Sequence, residues 1–407
     1  MRTTEKYILR VMSGEQKGVA ATILRAVMRL IEPVYIAVVQ LRNRKYDRHE
    51  KVGGKKVHRL SRKVISVGNL TAGGTGKTPV VHWLVGKLVE QGQLPAVLMR
   101  GYKSVDGVSD EQAMLSSALL HFPLSRYSGG GSGPSASALA ESLNESPHPN
   151  PPPEYRERGP EATALEGESP ISPNMPIIVQ ANPNRVEGAA EVLAKNPAVN
   201  VFVMDDGFQH RRLARDFDLV LISAIEPFGY GHVHPRGLLR EPIHNIKRAS
   251  AVLITHADEV SSAGINDIIS EIRRYTAVPI FRASHRQVAI RTSGEDHTMN
   301  FLAGKKVFAF CGIGNPDSFF RQLKNHNVLV SGELALGDHF SYDEDAVSKI
   351  AQAARNAKAE LLLTTEKDFA KLNPSAFGMP VGVVVMRIVF ADGDETGLLE
   401  LISRQLK

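Results

Sequence analysis

The sequence predicts an α/β fold: a parallel sheet covered by helices on both faces, with a smaller C-terminal α/β lobe and an N-terminal helical arm. Three observations carry this. Short, near-continuously apolar runs alternate with helical stretches from Val64 onward. The first of those runs leads through a glycine-rich loop straight into an amphipathic stretch. Ahead of Val64 the composition is different, strongly basic around one apolar segment.

The strand candidates are Val64–Val67, Leu94–Met99, Val201–Met204, Leu219–Ser223, Val252–Thr255, Val307–Phe310, Leu361–Thr364 and Val381–Val385. Runs apolar at every position, rather than every second one, belong to strands buried on both faces, the habit of parallel sheets. Helical stretches between them supply the crossovers that parallel strands need. One such stretch places Val80, Val81, Leu84, Val85 and Leu88 on a single face.

The 407 residues are 43% hydrophobic and 23% charged with mean hydropathy −0.15, ordinary for a globular chain with a sizeable core. We divide them into an arm (1–63), a core (64–300) and a C-terminal lobe (301–407). The lone cysteine, Cys311, excludes an intramolecular disulfide framework and a multi-cysteine zinc site, and it suits a reducing compartment. Between Tyr127 and Pro176 lie ten of the 23 prolines, with runs such as SGGGSGPSAS. A stretch so poor in apolar side chains cannot offset its ordering entropy, so 127–176 reads as a disordered insertion.

The arm holds 16 Lys/Arg against 5 Asp/Glu, an excess of +11 in a chain of net charge +6, so the remainder is net acidic by about 5. Within it, residues 19–41 are largely apolar but carry Arg25, Arg29 and Glu32, and Pro33 is expected to break the helix near its middle. The longest uncharged run, Pro33 to Leu41, falls far short of the roughly 20 residues that span a bilayer. An apolar segment bounded by basic clusters (Arg42, Arg44, Lys45, Arg48, then Lys55, Lys56, Arg59) reads as an interfacial anchor lying on an anionic surface. A buried helical hairpin is the competing reading. No nucleic-acid recognition motif or interleaved aromatics accompany the charge, which excludes a nucleic-acid partner from the expectations.

The chemistry enters at Gly68-Asn69-Leu70-Thr71-Ala72-Gly73-Gly74-Thr75-Gly76-Lys77-Thr78-Pro79, between a strand and a helix. Glycines let backbone N–H groups turn inward onto phosphate oxygens, and the helix N-terminus adds its positive dipole end. This is a phosphate loop with Thr71 where the strict pattern has glycine, and it makes the core P-loop NTPase-like. Gly73, Gly74, Thr75, Gly76, Lys77 and Thr78 are the expected ATP contacts, with Lys77 on the β/γ-phosphates and the Thr78 hydroxyl on Mg²⁺. A second motif, Val201-Phe202-Val203-Met204-Asp205-Asp206, ends an apolar strand in two carboxylates. Adjacent acids repel unless a cation lies nearby, so Asp205 and Asp206 are expected at the same metal. Gln209 and His210 follow and are expected to line the nucleotide or substrate cleft.

GNLTAGGTGKTP together with DDGFQH resembles the tetraacyldisaccharide 4′-kinase family, the lipid A 4′-kinases of Gram-negative bacteria. Further resemblance lies in Arg100-Gly101-Tyr102, Val108-Ser109-Asp110-Glu111-Gln112, Asn184-Arg185-Val186-Glu187-Gly188, Pro235 through Glu241, Gly312 through Pro316, Asp338-His339-Phe340 and Thr364 through Asp368. The departures are Ser109 and Gln112 around Asp110, Asn184, and Arg236 near Glu241.

The resemblance implies transfer of the ATP γ-phosphoryl group to the 4′-hydroxyl of tetraacyldisaccharide 1-phosphate, giving lipid IVA in lipid A (lipopolysaccharide) biosynthesis. It implies a peripheral or monotopic protein on the cytoplasmic face of the bacterial inner membrane, held by the arm. It also implies Asp110 as general base with His339 as its partner, and Glu241 serving Mg²⁺ directly or through water alongside Thr78, Asp205 and Asp206. A membrane-associated switch ATPase of the partitioning type is the alternative reading, against which stands Ala72 in the slot of that class's signature lysine.

Overall fold

The computed structural model describes residues 3–51, 57–101, 104–105, 108–109, 177–337 and 340–407. The predicted insertion 127–176, the proposed base Asp110 and its partner His339 lie outside the described residues.

Two helices open the chain, α1 (Thr3–Met12) and α2 (Val19–Lys51). The sheet strands are β1 (Lys63–Asn69), β2 (Pro95–Met99), β5 (Ile178–Ala181), β6 (Val201–Asp205), β7 (Phe217–Ser223), β8 (Ala251–Thr255), β9 (Ile280–Thr292), β10 (Glu295–Thr298), β11 (Lys306–Cys311), β12 (Leu329–Ala335), β13 (Leu361–Thr365) and β14 (Val381–Phe390). A two-residue hairpin, β3 (Ser104–Val105) with β4 (Val108–Ser109), stands apart from them. The remaining helices are α3 (Lys77–Glu90), α4 (Arg185–Lys195), α5 (Ser262–Arg273), α6 (Pro316–Asn325), α7 (Glu344–Asn356), α8 (Glu366–Phe369) and α9 (Asp394–Leu406).

The sheet runs β12-β11-β13-β14-β9-β8-β7-β1-β6-β2-β5, with β10 paired to β9. Every eight-strand prediction from the sequence is a strand here, and their pairings are parallel wherever two of them meet. β9 is the exception that joins the parts. Its start pairs parallel with β8 (Val252 with Ile280), and from Ala283 to Arg291 it runs antiparallel to β14. Its alternating burial and its polar stretch His285-Arg286-Gln287 hide it from a search for continuous apolar runs.

The predicted face of α3 packs as expected. Val80, Val81, Leu84, Val85 and Leu88 are buried with Ile65, Val67, Val203, Leu219 and Leu221 beneath the sheet. Each such side chain contributes about 1.5–3 kcal/mol. On the opposite face, Val220, Ile222, Val252 and Ile254 meet Ile265, Ile268 and Ile272 of α5, and Tyr35 and Ile36 of α2 reach the same cluster.

The arm corrects one expectation. Pro33 does not break the helix: α2 is continuous over 33 residues with Pro33 inside it. Pro33 is exposed. The inner face supplies the tertiary contacts that keep the helix running, with Met28, Glu32, Val39 and Asn43 buried. No described helix is long and apolar enough to cross a membrane.

Parallel order fixes where chemistry can happen. β1 lies between β6 and β7, so the C-terminal ends of these strands open side by side at the point where the chain order reverses, the place where open α/β sheets bind ligands.

Candidate active site

β1 ends at Asn69 and the phosphate loop follows. Three of its features keep it open. Gly73 and Gly76 have φ of 129° and 73°, which non-glycine residues rarely adopt. A Cβ on Gly68 would lie 2.6 Å from Phe208 Cβ and 2.7 Å from Phe208 N, so the loop and the turn after β6 approach more closely than any side chain would allow. Ala72 N donates to Leu238 O at 2.7 Å, tying the loop to the Pro235–Glu241 segment.

Asn69 is the internal brace. Its Nδ2 donates to Thr71 O (2.8 Å) and Thr75 Oγ1 (2.9 Å), and its Oδ1 accepts from Lys77 Nζ at 3.4 Å. From the far side, Thr255 Oγ1 at the end of β8 donates to Thr75 O at 3.0 Å. His285 of β9 places Nε2 3.3 Å from Gly76 O. A carbonyl only accepts, so that nitrogen carries the proton. Burial, and secondarily the neighbouring His256 ring at 4.5 Å, lowers the His285 pKa to about 3, so the ring is neutral. His256 is likewise lowered by burial, and its Nδ1 lies 3.3 Å from Ser223 Oγ.

Lys77 opens α3 at the N-terminal, positive end of the helix dipole. Its Nζ lies 3.5 Å from Asp206 Oδ1. Arg240 Nη1 donates to both oxygens of the same carboxylate, at 2.9 and 2.8 Å. Burial alone would raise the Asp206 pKa; Lys77 and Arg240 outweigh it and hold the group below the usual carboxylate range. Asp206 has φ 51°, the left-handed region that non-glycine residues seldom adopt. Asp205 closes β6 in register with Val67 of β1. Of the two adjacent acids, Asp206 has basic groups at hand in Lys77 and Arg240.

Glu241, expected beside Mg²⁺, is fully buried with both oxygens occupied. Oε1 accepts from Gln209 Nε2 (3.0 Å) and Arg248 Nη2 (2.9 Å), and Oε2 from Asn43 Nδ2 (3.1 Å) and Asn245 Nδ2 (2.9 Å). Thr78, Asp205 and Asp206 are not among these donors. Arg248 in turn lies over the Phe208 ring at 4.4 Å. Glu241 is therefore a hub that locks four side chains under the loop.

Gln209, expected at the cleft wall, points into the same network and also donates to Asn69 O at 2.8 Å. His210 is held neutral, its pKa lowered to about 4 by burial and then by Arg185, Arg215, Arg212 and Arg100. These arginines follow the ends of β2 and β5 or flank β6 and β7, so the sheet's C-terminal edge is strongly cationic there.

The structure thus gathers Gly73, Gly74, Thr75, Gly76, Lys77, Thr78, Asp206, Gln209 and Glu241 at one edge, with Asp205 and His210 at the end of β6. Sequence reading missed Asn69, Arg240, Thr255 and His285 as parts of the site. Asn69 and Thr255 left a signal as polar side chains ending apolar strands, and Arg240 stood within the Pro235–Glu241 segment. His285 left none, because β9 lies far along the chain.

The donor chemistry suits a hard divalent cation: the Thr78 hydroxyl and the Asp205 and Asp206 carboxylates offer only oxygen, the ligand set Mg²⁺ takes. Taken together, a glycine-rich loop running into a helix N-terminus, a lysine at that helix start and carboxylates at the neighbouring strand end can bind a nucleotide's phosphates and neutralise their charge.

Comparison with known proteins agrees with this geometry. A family profile described as tetraacyldisaccharide-1-P 4′-kinase matches residues 24–115 and 158–407. A tetraacyldisaccharide 4′-kinase from Halothermothrix orenii is 30% identical over 385 residues, covering 91% of this chain and 88% of its own length. One from Geobacter metallireducens is 34% identical over 359 residues, covering 86% and 89%. Among solved structures, LpxK from Aquifex aeolicus, crystallised with ATP, superposes with TM-score 0.64 at 24% identity, over 94% of this chain and 100% of that one. At that identity the likeness speaks for the fold.

Proposed function

The chain belongs to the tetraacyldisaccharide-1-P 4′-kinase family and is a kinase that phosphorylates a lipid disaccharide precursor of lipid A; we propose that it does so with ATP and Mg²⁺ at a membrane surface, through the residues that follow. The observation that carries the reading is the pairing of Lys77 with Asp206 at the joined ends of β1 and β6, in a loop built for phosphate.

In this mechanism the loop N–H groups of Gly73 to Thr78 and the Lys77 ammonium hold the β- and γ-phosphates of ATP. Thr78, Asp205 and Asp206 hold Mg²⁺, which when bound adds positive charge against the phosphate oxygens. Arg240 is kept at the reaction edge by Asp206 and adds a second protein cation. The acceptor's 4′-oxygen attacks the γ-phosphorus. As the new P–O bond forms, the bond to the bridging oxygen breaks, and ADP leaves with that electron pair.

The hydroxyl proton goes to Asp110, with His339 beside it to orient and tune the carboxylate. The support for these two is the family resemblance, together with the β3–β4 hairpin that ends at Ser109, just before Asp110. Gln209 and Glu241 position the loop, and His210 lines the acceptor side.

The membrane part rests on α2. Val19, Ile23, Val27, Leu30, Val34, Val38 and Leu41 recur at helical spacing and are all exposed, on the face opposite Met28, Glu32, Val39 and Asn43. Such a stripe on a basic helix fits an interfacial helix facing anionic lipid on the cytoplasmic side of the bacterial inner membrane.

Product identity tests the reading. In mixed micelles with ATP, Mg²⁺ and tetraacyldisaccharide 1-phosphate, the protein should give a bisphosphorylated lipid with the new phosphate on the 4′-oxygen. ATP consumption with no lipid product would reject the acceptor and return the partitioning-type ATPase as the better reading.

A further inference from the structure

The arm helix is bonded to the phosphate loop by two chains of contacts that both end at Lys77. In the first, Asn43 Nδ2 donates to Glu241 Oε2 (3.1 Å), whose other oxygen accepts from Gln209 Nε2 (3.0 Å). That amide also donates to Asn69 O (2.8 Å), and Asn69 Oδ1 accepts from Lys77 Nζ (3.4 Å). In the second, Tyr35 Oη donates to Arg240 O (2.9 Å). Arg240 N donates to Leu70 O (2.7 Å), and its guanidinium holds Asp206, which faces Lys77.

Both residues of α2 belong to the inner stripe. Asn43 is 5% exposed, and its Oδ1 accepts no hydrogen bond among the described residues. The side chain thus accepts an unmet oxygen in order to donate to Glu241. Glu32 fixes the same face by accepting from His232 Nδ1 (3.2 Å) and Arg236 Nη1 (3.0 Å), on the segment that leads to Arg240. The opposite face carries the exposed apolar stripe.

We propose that Asn43 and Tyr35 are positioning residues for phosphoryl transfer, so that the helix that meets the lipid also sets the reacting edge. This rests on the kinase reading above. The helix fixes the backbone of Arg240 and the carboxylate of Glu241, and through them the placement of Asp206, Asn69 and Lys77. Transfer depends steeply on such placement, since a shift of about 1 Å costs on the order of a hundredfold. An arm that only tethered the protein would have no need of polar contacts to Arg240 and Glu241, the residues that brace the loop.

The test uses the full chain in mixed micelles with ATP, Mg²⁺ and tetraacyldisaccharide 1-phosphate. The variants are Asn43→Leu, Tyr35→Phe, Glu241→Gln and the double Asn43→Leu/Glu241→Gln. Asn43→Leu should lower kcat about tenfold, as expected for losing a hydrogen bond to a charged group. The KM for ATP and partition onto phospholipid vesicles should stay within about twofold of wild type. Tyr35→Phe should lower kcat in the same way by several-fold.

The double variant should be no slower than Glu241→Gln alone, because Asn43 acts through Glu241. Single variants with wild-type kcat, or effects of Asn43→Leu and Glu241→Gln that multiply, would overturn the proposal. If Asn43→Leu does not fold, Tyr35→Phe, which loses one hydroxyl, decides the matter. A wild type that labels no lipid overturns the kinase reading and the proposal with it, an outcome distinct from active variants.

Discussion

Lys77 Nζ lies 3.5 Å from Asp206 Oδ1, across the gap between the phosphate loop and the end of β6. One carboxylate therefore restrains two cations, because Arg240 lies on the same group at 2.8 Å. Lys77 supplies charge to the phosphates and Asp206 decides where that charge stands.

Asp206→Asn should cut transfer about a hundredfold, by freeing Lys77 and Arg240 and removing a metal ligand. It should also change the acid limb of stability. The folded pKa of Asp206 is depressed, so its contribution is present above the ordinary carboxylate range and is lost as pH falls through the depressed value. Urea unfolding from about pH 7 down to about pH 3 should show a shallower acid loss in the variant than in wild type.

His210 gives a pH dependence of the same sign in a higher window. It is held neutral with a pKa of about 4, so the unfolded chain binds more protons below the ordinary histidine value and stability rises with pH across that window. His210→Asn should flatten this slope between about pH 4 and pH 6.5. The slope will not vanish, because His285 and His256 are shifted in the same direction. A slope equal to wild type would contradict the assigned environment.

The glycines of the loop can be tested by adding one carbon. Gly68→Ala meets Phe208 backbone and side chain at 2.7 and 2.6 Å, and a backbone atom cannot swing away. Gly76→Ala combines φ 73° with His285 ring atoms at 2.2 and 2.3 Å. Both variants should lower the melting temperature and raise the KM for ATP. In Gly76→Ala/His285→Ala the clash is gone but the backbone cost remains, so rescue should be partial.

Glu241→Ala should destabilise the fold by about 3–5 kcal/mol in urea unfolding, since it removes a fully buried carboxylate and strands the half-buried Arg248 and three side-chain amides. Glu241→Gln keeps the shape and should cost less. Equal stability of wild type and Glu241→Ala would remove Glu241 as the hub.

The arm's outer face predicts a binding phenotype. Leu30→Ser and Val34→Ser each remove an exposed apolar side chain from the stripe, and each should weaken partition onto anionic phospholipid vesicles by about tenfold. Wild-type partition in the double variant would reject α2 as the lipid-facing element.

Much of the site was legible because its chemistry is local. The loop from Gly68 to Thr78 and the pair Asp205-Asp206 are contiguous, and the strand–loop–helix order around them fixes their geometry. What stayed hidden depends on distant segments. Asn43 reaches Glu241 over 198 residues and His285 reaches Gly76 over 209, and neither pairing leaves a local pattern. Pro33 misled for the same reason: a local rule predicted a break, and inner-face packing carried the helix through. Glu241 reads as an acid near a metal until the four donors around it are seen.

The most direct measurement is transfer of labelled γ-phosphate from ATP to tetraacyldisaccharide 1-phosphate in micelles, by wild type, Lys77→Ala and Asp110→Ala in parallel. The account predicts labelled bisphosphorylated lipid from wild type and at least about a hundredfold less from each folded variant. Full transfer by Lys77→Ala, or no labelled lipid from folded wild type, would contradict it.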